Sequence, residues 1–224
     1  MRVGFGLLRG SNRYAAGGST DMYFNIVIFI ATGFCLAFLF RMVAIKALSG
    51  LKLRAPLFYP RVKPIDILLA LSLNDFRALA TISIGILGLV WYFTWSFRLD
   101  SPGLAISVYM LTVMMALGFG ICLVFLGRLN KWITRIIKRI LNRLIIFTSG
   151  IFFATFELPE LMRPFVTWNP VLHAVELFRY SLNNQYPIPG ISLSYLTWCS
   201  FVLLGFSLIL YRTNESLLLE ANDD

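Results

Sequence analysis

The run LAISVYMLTVMMALGFGICLVFL, residues 104–126, contains no charged side chain. As an α-helix it covers the ~30 Å hydrocarbon core of a bilayer, which needs about 20 apolar residues. Three more charge-free runs have the same character: MYFNIVIFIATGFCLAFLF at 22–40, ALATISIGILGLVWYFTWSF at 78–97, and LSYLTWCSFVLLGFSLILY at 193–211. A fifth, LIIFTSGIFFATF at 144–156, is short, so it spans only if the basic stretch before it joins in, giving 140–156 with Arg143 reaching back to the headgroups. Otherwise it is re-entrant.

Composition agrees. Of 224 residues, 58% are hydrophobic and 14% charged, and mean hydropathy is +0.76; soluble domains carry about 25% charged residues. The expected fold is an all-α integral membrane protein, a single membrane-spanning domain over 1–224, with about five spans and an outer re-entrant or interfacial helical hairpin. Cys35, Cys122 and Cys199 lie inside apolar runs, so they read as small core residues, not a disulfide framework. With one His in the chain, neither a metal centre nor a resident cofactor is expected.

The net charge of +9 comes from cations gathered between spans. Arg41, Lys46, Lys52, Arg54, Arg61, Lys63 and Arg77 fall in 41–77; Arg128, Lys131, Arg135, Lys138, Arg139 and Arg143 fall in 127–143. That distribution marks cytoplasmic loops, places the C-terminus in the cytoplasm, and argues against nucleic acid as the partner. The early VGFGLL is too short to cross a bilayer and reads as the tail of a span whose beginning lies upstream.

Two basic elements stand out. RLNKWITRIIKRILNRL is expected to form an amphipathic helix at the cytoplasmic surface, its cations on one face and Leu129, Trp132, Ile133, Ile136, Ile137 and Ile140 on the other. It anchors topology, and it can also meet anionic headgroups or a cytoplasmic partner. The other is PLFYPRVKPIDILLA at 56–70. Pro60 and Pro64 disfavour helix at the residues before them, Pro64 suits a first helical position, and Asp66 then complements the helix dipole. A stiff connector followed by a helix from Pro64 to about Phe97 is predicted. That helix is longer than the bilayer core, so its first third projects beyond it.

In TWNPVLHAVELFRYSLNN, Asn169 is a good N-cap and Pro170 a good first helical residue. His173, Glu176 and Tyr180 share a face, with Arg179 three residues beyond Glu176, and Val171, Leu172, Val175, Phe178 and Leu182 form the other. The helix is expected at the outer membrane face. Trp168, Asn169, His173, Glu176 and Arg179 then make either a hydrogen-bonded stripe that fixes a hairpin or a gate on an exit path. Trp91, Tyr92 and Trp95 belong to an outer aromatic belt.

Three stretches resemble one family in order: YPRVKPIDILLALSLND, LIIFTSGIFFATFELPELMRPFVTWNPVLHAVELFR, and LILYRTNES. They are similar to the membrane subunits of bacterial type-2 ABC exporters, in the capsular-polysaccharide branch, over about residues 22–216. The resemblance implies a homodimer in the bacterial inner membrane, six spans with an amphipathic segment before them, and a path for a lipid-linked glycan, on whose CH-rich sugar faces the rings of Trp91, Tyr92 and Trp95 would stack. It implies a separate ABC ATPase subunit, since no Gly-x4-Gly-Lys-Ser/Thr loop occurs here, with docking through about 49–66, where Arg61, Lys63, Pro64 and Asp66 lie. Membrane lipid and periplasmic and outer-membrane export components are the remaining implied partners. O-antigen, teichoic acid or a drug are alternative cargoes, and a structural membrane protein is the alternative outside transport.

Overall fold

The computed structural model describes residues 26–50, 63–94, 99–129 and 147–214, together with 132, 135–137, 139 and 143. The described residues form α1 (Ile26–Gly50), α2 (Pro64–Thr94), α3 (Pro102–Leu129), a 3-10 turn (Thr155–Glu157), α4 (Arg163–Thr167), α5 (Pro170–Leu182) and α6 (Leu193–Thr213), with no strand among them. Four stretches are long and apolar enough to cross a bilayer: Ile26–Ile45, Ile65–Leu89, Pro102–Gly127 and Leu193–Thr213. The protein is an all-α integral membrane protein. α1 runs on to Gly50, past the end of its charge-free run at Phe40.

α1 and α3 form the centre. α6 packs on α3, α2 on α1, and α5 wedges against α1, α3 and α6. Leu36, Leu39, Val108, Ala116, Leu172, Val175 and Leu196 are buried where these helices meet. Lipid is as apolar as these side chains, so contact between membrane helices depends on close packing and interhelical hydrogen bonds. Gly118 supplies the first: a Cβ there would stand 2.8 Å from the backbone of Leu203 and Leu204, so α3 and α6 touch main chain to main chain. Ser200 supplies the second, its one hydroxyl proton shared between the Leu196 carbonyl one turn back at 2.7 Å and the Leu111 carbonyl on α3 at 3.0 Å. The outer flanks of α2 and α6 carry exposed apolar side chains such as Ile84, Trp198 and Phe201, as a bilayer-facing surface requires.

α2 begins at Pro64, as its sequence predicts. The Lys63 N–H donates to the Asp66 carboxylate at 2.9 Å, while the Asp66 N–H donates to the Lys63 carbonyl at 3.0 Å. This reciprocal arrangement satisfies groups that an uncapped helix start leaves open.

Two expectations fail in the stretch between α3 and α4. A helix continuous through 140–156 does not form: the chain turns at Ser149–Gly150 and stays irregular to the 3-10 turn at Thr155. Gly150 adopts φ +73°, and a Cβ there would meet Leu172 at 2.5 Å, so the turn requires glycine. Trp132 does not belong to the apolar face: it is 64% exposed, on the same side as exposed Arg135, Arg139 and Arg143. At 100° per residue it falls among the cations, while Ile136 and Ile137 are half-buried.

Candidate functional site: a buried ion pair and a capped corner

The N-cap of α5 forms as read from the sequence. The Asn169 side chain accepts from the Val171 N–H at 3.0 Å and donates to the Thr148 carbonyl and hydroxyl at 3.2 and 2.8 Å. The cap therefore also ties α5 to the chain just before the Ser149 turn. At the far end, the Ser181 carbonyl accepts from the Ser101 N–H, and the Asn184 N–H donates to Asp100. Both ends of α5 are thus held to the same end of the bundle, where α3 and α6 begin.

The two faces of α5 do not divide into one buried and one open, because both are covered within the bundle. Val171 to Arg179, Ser181 and Leu182 are all buried. Its polar face is covered by α1 and by the irregular segment 149–155, and the partners found there account for the burial. Arg179 Nη1 lies 3.2 Å from Glu176 Oε1, with both side chains fully sequestered. Nη2 donates to the Phe29 and Ile151 carbonyls at 3.0 and 3.3 Å, and Nε reaches the Thr32 hydroxyl at 3.4 Å. The guanidinium also sits 3.4 Å over the Phe29 ring, an additional cation–π contact. Glu176 Oε1 accepts from the Thr155 N–H at 3.4 Å, and the Tyr186 hydroxyl interacts with both members of the pair. Burial pushes the Tyr186 phenol up, and the Glu176 carboxylate beside it reinforces this.

A charge pair out of water is tolerated only when nearly every donor is met. Arg179 achieves this by gathering three separate pieces of chain: α1, the 151 loop and its own helix. Gly33 makes room, since a Cβ there would stand 2.9 Å from both Arg179 Nη2 and the Ile151 Cα.

His173 is not part of this stripe. Its Nδ1 accepts from the Ser192 N–H at 3.1 Å, which leaves the proton on Nε2 to donate to the Thr167 carbonyl at 2.7 Å. Burial holds the imidazole below its usual range against the pull of these backbone bonds. Tyr195 packs against it at a 40° tilt, ring centroids 4.5 Å apart, and donates from its hydroxyl to the Trp168 carbonyl at 2.6 Å. The ring is a clip between the start of α6 and the corner before α5, with Trp168 itself exposed.

At the other end, α2 emerges from Lys63 and Asp66, both exposed. One turn inward, Ile65 and Leu68 pack with Ile121, Val124 and Phe125 of α3 and with Leu210 and Tyr211 of α6. The corner is thereby seated on the ends of two spanning helices. Arg61 and the segment 51–62 lie outside the described residues, as does Trp95; Trp91 lies in α2, and Tyr92 is exposed on it. Among the described residues no group of three His, Cys, Asp or Glu could hold a metal. The described cysteines are free thiols.

Sequence reasoning paired Glu176 with Arg179 but missed Phe29, Thr32, Ile151, Thr155 and Tyr186. Phe29 and Thr32 are 150 and 147 residues from Arg179, Ile151 is 28 from it and Thr155 is 21 from Glu176, and all four lie in runs that read as apolar; Tyr186 is near in sequence, but nothing in its polar surroundings marks it as a partner. Ser149–Gly150 was the one local sign that the segment facing the pair would unwind.

Comparison with known proteins returns consistent matches. The ABC-2 type transporter family matches residues 4–183. Polysialic acid transport protein KpsM of Escherichia coli is 27% identical over 193 residues, covering 86% of this chain and 74% of its own. Capsule polysaccharide export inner-membrane protein BexB of Haemophilus influenzae is 21% identical over 192 residues, covering 84% and 71%.

Proposed function

This chain belongs to the ABC-2 type transporter membrane family, and from that premise we propose that it is the membrane subunit of an ATP-driven exporter of capsular or related polysaccharide. The names of the relatives, one a polysialic acid transport protein and the other a capsule polysaccharide export inner-membrane protein, support that cargo and an inner-membrane location. The chain itself is a permease and does no chemistry. A separate ABC ATPase hydrolyses ATP, two copies of this chain enclose a path for a lipid-linked glycan, and the C-terminus faces the cytoplasm.

The observation that carries the reading is the capped start of α2. An ATPase below the membrane needs a stiff input, and Lys63, Pro64 and Asp66 make one. It also needs a route for displacement. Ile65 and Leu68 give one by packing directly on α3 and α6, because packed cores transmit strain. At the other end, Trp168, Asn169, His173, Glu176 and Arg179 form the outer closure, which the buried pair holds in one arrangement. Trp91, Tyr92 and Trp95 are the aromatic surface for passing sugar.

The test is co-purification. A tagged full-length chain should retain an ABC ATPase and alter its hydrolysis rate. Substituting Arg61→Glu, Lys63→Glu and Asp66→Lys together should release the ATPase while the chain remains inserted. Undiminished retention would place docking elsewhere, and no retained ATPase would remove the exporter reading.

A further inference from the structure

Arg77 is exposed on α2, and two contacts of that helix give its depth. Leu68 packs with Ile121, Val124 and Phe125 of α3 and with Leu210 and Tyr211 of α6. These lie in the last two turns of the spans Pro102–Gly127 and Leu193–Thr213. Arg77 stands about 14 Å further along α2, at ~1.5 Å per residue. Its neighbour Phe76 meets the Tyr109 ring edge-on, centroids 5.7 Å apart. Tyr109 lies about 10 Å along α3 from Pro102, at the opposite end of the same span. Both marks put Arg77 inside a ~30 Å hydrocarbon core. Its guanidinium is held there, with Nη2 donating to Asn74 Oδ1 one turn back at 3.2 Å.

At 100° per residue, Asn74, Ala78, Thr81, Gly85 and Gly88 fall with Arg77 in an arc of about 100°, and all are exposed. Gly85 and Gly88 have nothing within 4 Å of a Cβ. The arc turns away from the seam of Leu68, Ser72, Asp75, Leu79 and Ser83, which are buried against the bundle. It leads to the exposed Tyr92, about 27 Å from Asn74 along the helix. Its borders are apolar, with Leu73 and Ile84 exposed on one side and Ile82 and Leu89 on the other. Lipid suits the borders but not the arc between them. An ionisable group at this depth faces protein or a water-filled cavity, and marks a substrate path.

We propose that this face of α2 lines an aqueous path and forms a hydrogen-bonding track for the hydroxyl groups of the polysaccharide. The proposal rests on the polysaccharide-export reading and names the helix face that the sugar passes. Arg77 and Asn74 present N–H donors to hydroxyl and ring oxygens, and Thr81 presents a hydroxyl. Ala78, Gly85 and Gly88 leave the width that a sugar ring needs, and Tyr92 receives the ring at the outer end with an aromatic face. A second copy of the chain suits this face less well. Two parallel helices related by a two-fold axis bring like levels together, so Arg77 would meet the copy's Arg77 and Asn74, while the nearest acid, Asp75, lies on the buried seam.

The test is water accessibility, read on the full-length chain with its ATPase in membranes. Cys35, Cys122 and Cys199 are replaced by Ser, and single cysteines are placed at Asn74, Ala78, Thr81, Gly85 and Gly88, and at Leu73, Ile82, Ile84 and Leu89. A membrane-impermeant methanethiosulfonate applied from either side should modify the first group at least tenfold faster than the second. Gly85→Leu with Gly88→Leu, which fills the track, should cut polysaccharide export in cells at least fivefold while ATPase is retained, and the paired Ala substitutions should export normally. Equal, slow modification of both groups would mean that lipid covers the arc, and overturns the proposal. So does oxidative cross-linking of two chains through the first group, which would make the arc a packing face between copies, or wild-type export by an inserted Leu variant. Failure of the exporter reading would appear separately, as a chain that retains no ATPase.

Discussion

Arg179 Nη1 and Glu176 Oε1 stand 3.2 Å apart with neither side chain reaching solvent. The guanidinium spends its other donors on α1 and the 151 loop, so the pair fastens three segments together. Removing one partner leaves the other charge buried alone, at a cost of about 3–5 kcal/mol. Arg179→Ala should therefore sharply lower the thermal midpoint of the detergent-solubilised protein. Arg179→Met combined with Glu176→Gln should recover part of the loss. If the single variant melts like wild type, the pair is not what holds this end closed.

Gly33 and Gly118 make separate, additive predictions. At Gly33 a methyl group meets the Ile151 backbone, which cannot rotate away as a side chain could, and at Gly118 it meets the α6 backbone. Either Ala substitution should destabilise by about 1–3 kcal/mol, the usual cost of overpacking. Gly85 and Gly88 have nothing within 4 Å of a Cβ and serve as controls. Thermal melts of the four variants should separate into two clear pairs.

His173 predicts a pH effect with a defined sign. Burial lowers its folded-state pKa, so below the unfolded value of about 6.5 the unfolded chain binds a proton that the folded chain resists. Stability is then lost as pH falls from 7 through 6.5 and below. His173→Gln, which keeps an acceptor for Ser192 and a donor for Thr167, should flatten the dependence of the melting midpoint between pH 7 and 5.5. An unchanged slope would assign the effect to other groups.

What the sequence revealed was local, and what it hid was not. Pro64 with Asp66, and Asn169 with Pro170, mark helix starts through contacts within three residues, and both helices begin there. The spans were legible because hydropathy is a property of the run itself. The setting of α5 was not. Its polar stripe looks like an interfacial face until α1 is seen to offer the Phe29 carbonyl and Thr32, 150 and 147 residues away. His173 misled for the same reason, because its partners Ser192 and Thr167 lie in flanking segments that fold back on it. Trp132 was an error of angle, not of missing information: its position on the helical wheel already placed it among the cations.

The corner at Pro64 predicts that docking and transmission can be separated. Leu68 is buried against α3 and α6, away from the exposed Lys63 and Asp66. Leu68→Ala should leave ATPase retention intact while reducing the stimulation of its hydrolysis by glycan several-fold. Loss of retention would mean that the cluster shapes the docking surface itself.

The aromatic set on α2 gives a prediction about cargo. Tyr92 is 64% exposed. If rings here carry sugar, Trp91→Ala, Tyr92→Ala or Trp95→Ala should slow export several-fold in cells while the protein remains inserted. Export at wild-type rate in all three would retire that role.

The measurement that bears most directly on the central claim is transport in proteoliposomes holding this chain and the ATPase that co-purifies with it. Polysaccharide presented on the side of the ATPase should reach the protected side only with hydrolysable ATP and only when both subunits are present. Polysaccharide that stays outside despite ATP turnover by the assembled complex, or that crosses without this chain, would contradict the account.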